Sequence, residues 1–207
     1  MEKEIRCELI SWSEVQRLCL RLAKQIKASG FHPDLVVAIG RGGYVPARLV
    51  CDYLDIMALT SIKIELYTAG STKMEKALIK YPLCNDISNQ RVLLIDDVND
   101  SGDTLELALA HLQTFQPCET RTAVVHHKTS SHMLVDYYAR KVTKWRWLIY
   151  PWAIYEDISG FLRSRTPVRN RTATLQSIEQ SQQYLADKFN IRISKQRLRE
   201  IINMMNA

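Results

Sequence analysis

Residues 92–104 read VLLIDDVNDSGDT. Four apolar residues are followed by two adjacent carboxylates, Asp96 and Asp97, then by Asp100, Ser101, Gly102, Asp103 and Thr104. The apolar run predicts a buried strand, and the helical spacing of Leu105 to Phe115 predicts a helix, so the polar residues fall in the turn between them. In open α/β sheets, ligands bind beyond the carboxyl ends of strands. A helix N-terminus presents N–H groups to an anion, and Gly102 lets the backbone approach it closely. Ser101 and Thr104 add hydroxyl donors. Asp96 and Asp97 suit sugar hydroxyls or a hydrated Mg²⁺. A single Asp here could simply cap the helix. Three directly after a buried strand repel one another unless a cation or hydroxyls stand between them. Phosphate cradle and carboxylate clamp together fit a sugar phosphate.

Three further stretches could act with this turn. Gly40-Arg41-Gly42-Gly43 ends an apolar run and precedes a helical pattern, so Arg41 and Gly42 could meet an anion, although such a turn often only joins strand to helix. His126-His127-Lys128 ends another strand. Lysine is only a donor and favours a carbonyl oxygen over an amine. Trp145 and Trp147 offer flat stacking surfaces, and one of the two is expected to belong to the core. The histidine pair lacks a third ligand at metal-site spacing and reads as packing and local hydrogen bonding.

These residues need a scaffold. Trp12, Val15, Leu18, Cys19, Leu22, Ala23 and Ile26 recur at helical spacing behind a Ser11–Glu14 capping box. Leu35–Ile39 and Arg91–Ile95 read as buried strands, Ser61–Tyr67 and Thr122–His126 as further strands, and Val45–Leu54 and Leu105–Phe115 as helices. The alternation predicts an α/β fold, a mostly parallel central sheet with helices on both faces. Residues 68–89 contain no clear element and read as a lid whose Ser71, Thr72 and Lys73 could close over a bound anion. Residues 163–172 are basic and irregular. Two amphipathic helical patterns follow, at 173–188 and 194–205.

Composition sets outer limits. The chain has 207 residues, 46% hydrophobic and 24% charged, an ordinary globular balance. No apolar run reaches ~20 residues, which excludes a membrane-spanning helix. Five scattered cysteines without an export signal point to reduced thiols in a cytoplasm. The net charge of +6 admits nucleic acid, a phosphorylated small molecule or plain solubility.

The segment 92–104 resembles the phosphoribosyl-pyrophosphate motif of type I phosphoribosyltransferases, an apolar strand followed by D-D-x-x-(D/T)-(S/T)-G-x-T. Asp100 in place of Thr is similar to the 6-oxopurine branch. The run around Gly40–Ala47 resembles the pyrophosphate loop of xanthine-guanine enzymes. The run W-L-I-Y-P-W at 147–152 is similar to their hydrophobic W-I-x-x-P-W segment. The resemblance implies a type I fold at 1–157 with a small hood, and it leaves a helical tail at 158–207 unaccounted for. It implies that Asp96 and Asp97 meet ribose hydroxyls and Mg²⁺, with Asp97 the metal residue. Asp100 to Thr104, including Ser101, Gly102 and Asp103, would wrap the 5′-phosphate, and Arg41 and Gly42 would hold pyrophosphate. Asp100 would accept a proton near N7 of the purine. Lys128 would meet O6, Trp147 would stack on the base, and the backbone of Leu148 would bond its edge. Ala153 stands where the family often has a carboxylate for a second Mg²⁺.

The expected function is transfer of ribose-5-phosphate from phosphoribosyl pyrophosphate to hypoxanthine, guanine or xanthine, in a homodimer or larger homo-oligomer without membrane contact. The alternative is a regulator that senses phosphoribosyl pyrophosphate or a nucleotide and binds nucleic acid through its basic tail. Intact Asp100, Lys128 and Trp147 favour the enzyme. In the tail, Leu175, Ile178 and Leu185 share one helical face, and Leu198, Ile201, Ile202 and Met205 another. Packing is therefore expected to outweigh nucleic-acid reading by Lys195, Arg197 and Arg199.

Overall fold

Val36, Val37, Val92, Leu93, Leu94 and Ile95 have no exposed surface. Runs apolar on both faces can only be satisfied by a parallel sheet covered on both sides. The computed structural model describes residues 5–68, 72–165 and 177–206. Its elements are β1 Cys7–Leu9, α1 Trp12–Ala28, β2 Leu35–Gly40, α2 Tyr44–Leu54, β3 Leu59–Thr68, β4 Thr72–Tyr81 and β5 Arg91–Asn99. They continue with α3 Asp103–Gln113, β6 Glu119–Lys128, β7 Tyr137–Val142, β8 Trp147–Ile149, α4 Ile154–Arg165, α5 Ile178–Phe189 and α6 Lys195–Asn206. The backbone divides into two compact units: a large one of residues 12–66 and 74–145, and a small one holding the described parts of 1–11, 67–73 and 146–207.

The large unit is a six-stranded sheet in the order β4-β3-β2-β5-β6-β7. Parallel pairing joins β3 to β2, β2 to β5, β5 to β6 and β6 to β7. On one face Leu35, Val37, Ile39, Val92, Leu94 and Val124 pack with Leu105, Ala108 and Leu112 of α3. The alternate residues point to the other face. There α1 packs on α2, β6 and β7, and α2 on β2 and β5. The predicted α/β architecture is borne out.

Residues 68–89 are not the long loop expected from sequence. Most of the first half is β4, with Ala77 and Ile79 packed against the core and Leu78 exposed. Lysine and glutamate have low strand preference, and here the sheet's packing overrides it. Ser71 lies outside the described residues. Thr72 and Lys73 lie in β4 by backbone. Strand β5 also runs past Ile95, so Asp96 and Asp97 are strand residues and not turn residues.

In the small unit, β1 and β8 form a separate two-stranded parallel sheet, Cys7 opposite Trp147 and Leu9 opposite Ile149. Sequence patterning does not indicate β1, β7 or α4. The last occupies 154–165, so 163–165 are helical, and the rest of the basic stretch at 166–172 lies outside the described residues. The two tail helices are present, the first starting later than predicted. Ser177 and Gln180 form a capping box at its start, and Asn190 closes it in the left-handed conformation. Ile158, Phe161 and Leu162 of α4 share one core with Leu185, Phe189, Leu198, Ile201 and Ile202, and Ile178 and Met205 pack against it. Leu175 lies outside the described residues. Burial pushes the thiols of Cys7 and Cys19 up to about 12 and that of Cys51 to about 11, as inert cysteines require.

Leu198 is fully buried in this small-unit core. Leu198→Ala should lower stability by about 2–5 kcal/mol. Chemical denaturation followed by circular dichroism measures it, and a loss below ~1 kcal/mol would refute close packing of the tail.

Candidate functional site

Strand order reverses between β2 and β5. The chain leaves β2 toward β3 on one side, and leaves β5 toward β6 and β7 on the other. Such a switch point opens a crevice beyond the strand ends. Register sets Ala38 beside Ile95, so the turn after β2 and the segment after β5 emerge side by side. The first carries Arg41 to Gly43, and the end of β5 with the turn after it carries Asp96 to Thr104.

The two segments are in contact. A Cβ at Gly42 would collide with the Asp97 carboxylate, and one at Gly43 with the carbonyl oxygens of Ile39 and Ile95. Both following helices start without a side-chain cap: α2 from Gly43 and α3 from Gly102. Helix starts left open in this way suit an anion, and at α2 the Tyr44 N–H donates to the Arg41 carbonyl at 3.4 Å. Arg41 is exposed at its edge.

Asp96 is 8% exposed, and its Oδ1 accepts the Asp97 N–H at 2.9 Å. Burial and the neighbouring Asp97 push its carboxyl well above the usual range, while the Asp97 N–H and Lys63 pull it back. Two crowded carboxyls of this kind are relieved by a cation or by hydroxyl donors.

The next group is held by the pairing of β5 with β6. Asn99 lies opposite His127, which brings the following Asp100 to Lys128, 28 residues away. Lys128 donates from Nζ to Asp100 Oδ2 at 2.9 Å and is only 2% exposed. The indole N–H of Trp145 donates to Asp100 Oδ1 at 3.0 Å, and Lys128 Nζ lies 4.6 Å from the centre of the same ring. Burial draws the Lys128 ammonium below its usual range, and Asp100 opposes the shift.

The turn itself is braced from β6–β7. Ser130 donates to the Asp100 carbonyl at 3.3 Å, and the His132 N–H to the Ser101 carbonyl at 3.0 Å. Asn99 is buried. It donates to the Met133 carbonyl at 2.8 Å, accepts from Ser131 at 2.9 Å, and meets His127 Nδ1 at 3.1 Å. Ser101 donates to Asp103 at 2.9 Å, and Thr104 lies in the first turn of α3.

Arg41, Gly42, Asp96, Asp97, Asp100 to Thr104 and Lys128 thus gather around one strand-end crevice of the large unit. Trp147 and Leu148 belong to the small unit, on β8. There Trp147 packs against the apolar core, and Leu148 is buried opposite Glu8. Sequence reasoning missed Asn99, Ser130 and Ser131, and passed over Trp145, which lies outside β8. The hydroxyl run Thr129-Ser130-Ser131 directly after a strand was the available signal for the brace.

A model of the phosphoribosyl transferase domain matches residues 9–157. The chain is 33% identical over 149 residues to the xanthine-guanine phosphoribosyltransferase of Cereibacter sphaeroides, covering 69% of this chain and 84% of that protein. It is 30% identical to the hypoxanthine-guanine phosphoribosyltransferase of Saccharomyces cerevisiae, covering 70% and 85%. The crystal structure of a purine phosphoribosyltransferase from Pyrococcus horikoshii matches with a TM-score of 0.61 at 28% identity, covering 70% and 93%.

Gly102 adopts φ of 109°, and a Cβ there would lie 2.8 Å from the Met133 Cβ. Gly102→Ala should lower stability by about 2–4 kcal/mol, from the left-handed backbone and the crowding together. Denaturant midpoints measure this. An unchanged midpoint would mean the brace does not hold the turn.

Proposed function

The chain belongs to the phosphoribosyl transferase family, and from that premise we propose that it transfers ribose-5-phosphate from phosphoribosyl pyrophosphate to a 6-oxopurine, releasing pyrophosphate. The observation that carries the base assignment is the pairing of buried Lys128 with partly buried Asp100 beside the phosphate turn. A 6-oxopurine presents an acceptor at O6 next to N7. An ammonium donor and a carboxylate acceptor 2.9 Å apart match that edge. Adenine carries an amine where O6 would be, and the ammonium would face a donor.

The remaining residues are assigned from the same crevice. The uncapped start of α3, with Ser101, Gly102, Asp103 and Thr104, takes the 5′-phosphate. Asp96 and Asp97 take the ribose hydroxyls. Arg41 and the backbone at Gly42 stabilise the departing pyrophosphate. As the bond from C1′ to pyrophosphate breaks and the bond to the purine nitrogen forms, the purine loses a proton, which Asp100 accepts. Water must be excluded while the sugar is cation-like. Trp147 and the Leu148 backbone are assigned to the base on family likeness.

Among the described residues, no group of three or more His, Cys, Asp or Glu converges as a metal cage. Mg²⁺ does not need one, because it is held by one or two carboxylates together with substrate phosphates and water. The crowded Asp96–Asp97 pair fits that donor set, with Asp97 as the protein residue. Bound there, Mg²⁺ would neutralise pyrophosphate charge. Ala153 offers no carboxylate for a second ion.

The regulator reading finds no support. The apolar stripes of α5 and α6 are buried, Lys195 pairs with Glu179 at 2.8 Å, and Arg197 pairs with Glu200 at 3.0 Å. No helix among the described residues is long and apolar enough to cross a membrane. A reducing cytoplasm is assigned from the five scattered cysteines of the sequence. A homodimer or larger homo-oligomer is assigned on family likeness.

A panel of hypoxanthine, guanine, xanthine and adenine, assayed with phosphoribosyl pyrophosphate and Mg²⁺, should show turnover with at least one 6-oxopurine and none with adenine. Asp100→Asn should lower kcat about 100-fold or more while the phosphoribosyl-pyrophosphate KM holds. Near-normal kcat would remove the proton-accepting role. Lys128→Ala should raise the KM for the base about tenfold and leave that for phosphoribosyl pyrophosphate unchanged. Equal changes in both constants would make Lys128 a structural residue.

A further inference from the structure

We infer that Trp145 is a positioning residue for the base-side pair, holding the Asp100 carboxylate in the orientation from which it meets a bound 6-oxopurine. This deepens the proposed function and rests on it.

The two oxygens of Asp100 are held by different elements. Oδ2 accepts from Lys128 on β6, and Oδ1 accepts from Trp145 in the segment before β8. The terminal torsion of a carboxylate is otherwise broad. Donors on both sides narrow it to one setting. The same indole also faces the other member of the pair, since Lys128 Nζ lies 4.6 Å from its ring centre. One side chain therefore fixes the acceptor through its N–H and the donor through its ring face.

Packing does not explain this placement. Trp145 is 47% exposed and belongs to no strand or helix. A buried-core role would place the ring inside, as for the half-buried Trp147, which packs against an apolar cluster. Only tryptophan among the aromatic residues combines a large ring with a donor-only N–H. Phenylalanine could cover the ammonium but could not reach the carboxylate with a hydrogen bond. Orientation matters because a small misplacement of a reacting group costs orders of magnitude in rate.

The test is Trp145→Phe in the full chain, with Trp145→Ala beside it. At saturating phosphoribosyl pyrophosphate, Trp145→Phe should lower kcat/KM for the base about tenfold, the loss of one charge-assisted hydrogen bond. The KM for phosphoribosyl pyrophosphate and the melting temperature should stay unchanged. Trp145→Ala should fall further, because the ring face over Lys128 is lost as well. A second readout does not depend on turnover. The Trp145 indole resonance in a ¹H–¹⁵N spectrum, assigned by its loss in Trp145→Phe, should move in Asp100→Asn. The inference is overturned if Trp145→Phe matches an active wild type, if both substrates are affected alike, or if the indole resonance ignores Asp100→Asn. Absence of turnover by the wild type with every base would instead overturn the proposed function itself.

Discussion

The site depends on one strand's parallel hydrogen bonding to two neighbours. β5 pairs with β2 through Leu35 to Ala38 and with β6 as far as Asn99 opposite His127. The first pairing sets the Arg41–Gly43 turn beside Asp97. The second brings Asp100 to Lys128. A slip of one residue would turn every side chain to the opposite face and separate both sets. The heavily apolar, two-sided burial of β2 and β5 holds that register.

Charge is then arranged within this frame. Burying an ammonium or a carboxylate alone is costly, and such groups persist only when paired and hydrogen-bonded. Lys128 meets this demand through Asp100 and the Trp145 ring. Asp96 meets it differently, through the Asp97 N–H and a carboxyl pushed upward by burial and by Asp97. One end of the sheet therefore holds a neutralised donor–acceptor pair and, beside it, crowded acids suited to hydroxyls and a cation. The loop after β6 acts on this centre through hydrogen bonds. Its Ser130, Ser131 and His132 hold the turn after β5 in place through Asn99, Asp100 and Ser101.

The C-terminal helices follow a separate logic. Their apolar faces meet α4 and the short β1–β8 sheet, with Phe161 stacked on Phe189 at 4.2 Å between ring centres. Lys195 and Arg197 stay at the surface, each occupied by a carboxylate. The tail completes the core of the small unit.

The alternating pattern of apolar runs and helical spacings was enough to recognise a parallel α/β sheet, because periodicity is a local property of the chain. The run from Val92 to Thr104 was enough to single out the turn proposed to hold phosphate, since strand, carboxylates, glycine and helix start all lie within thirteen consecutive residues. What lies far apart in the chain was not legible. β4 hides among three lysines and a glutamate and becomes a strand only because β3 and the core accept Ala77 and Ile79. The three-residue strand β1 forms only because β8, 140 residues on by register, lies beside it. Trp145 is interchangeable with Trp147 until Asp100 and Lys128 are in place around it. Local composition decided which residues could do chemistry. Strand order and register, set by burial across the whole sheet, decided which of them meet.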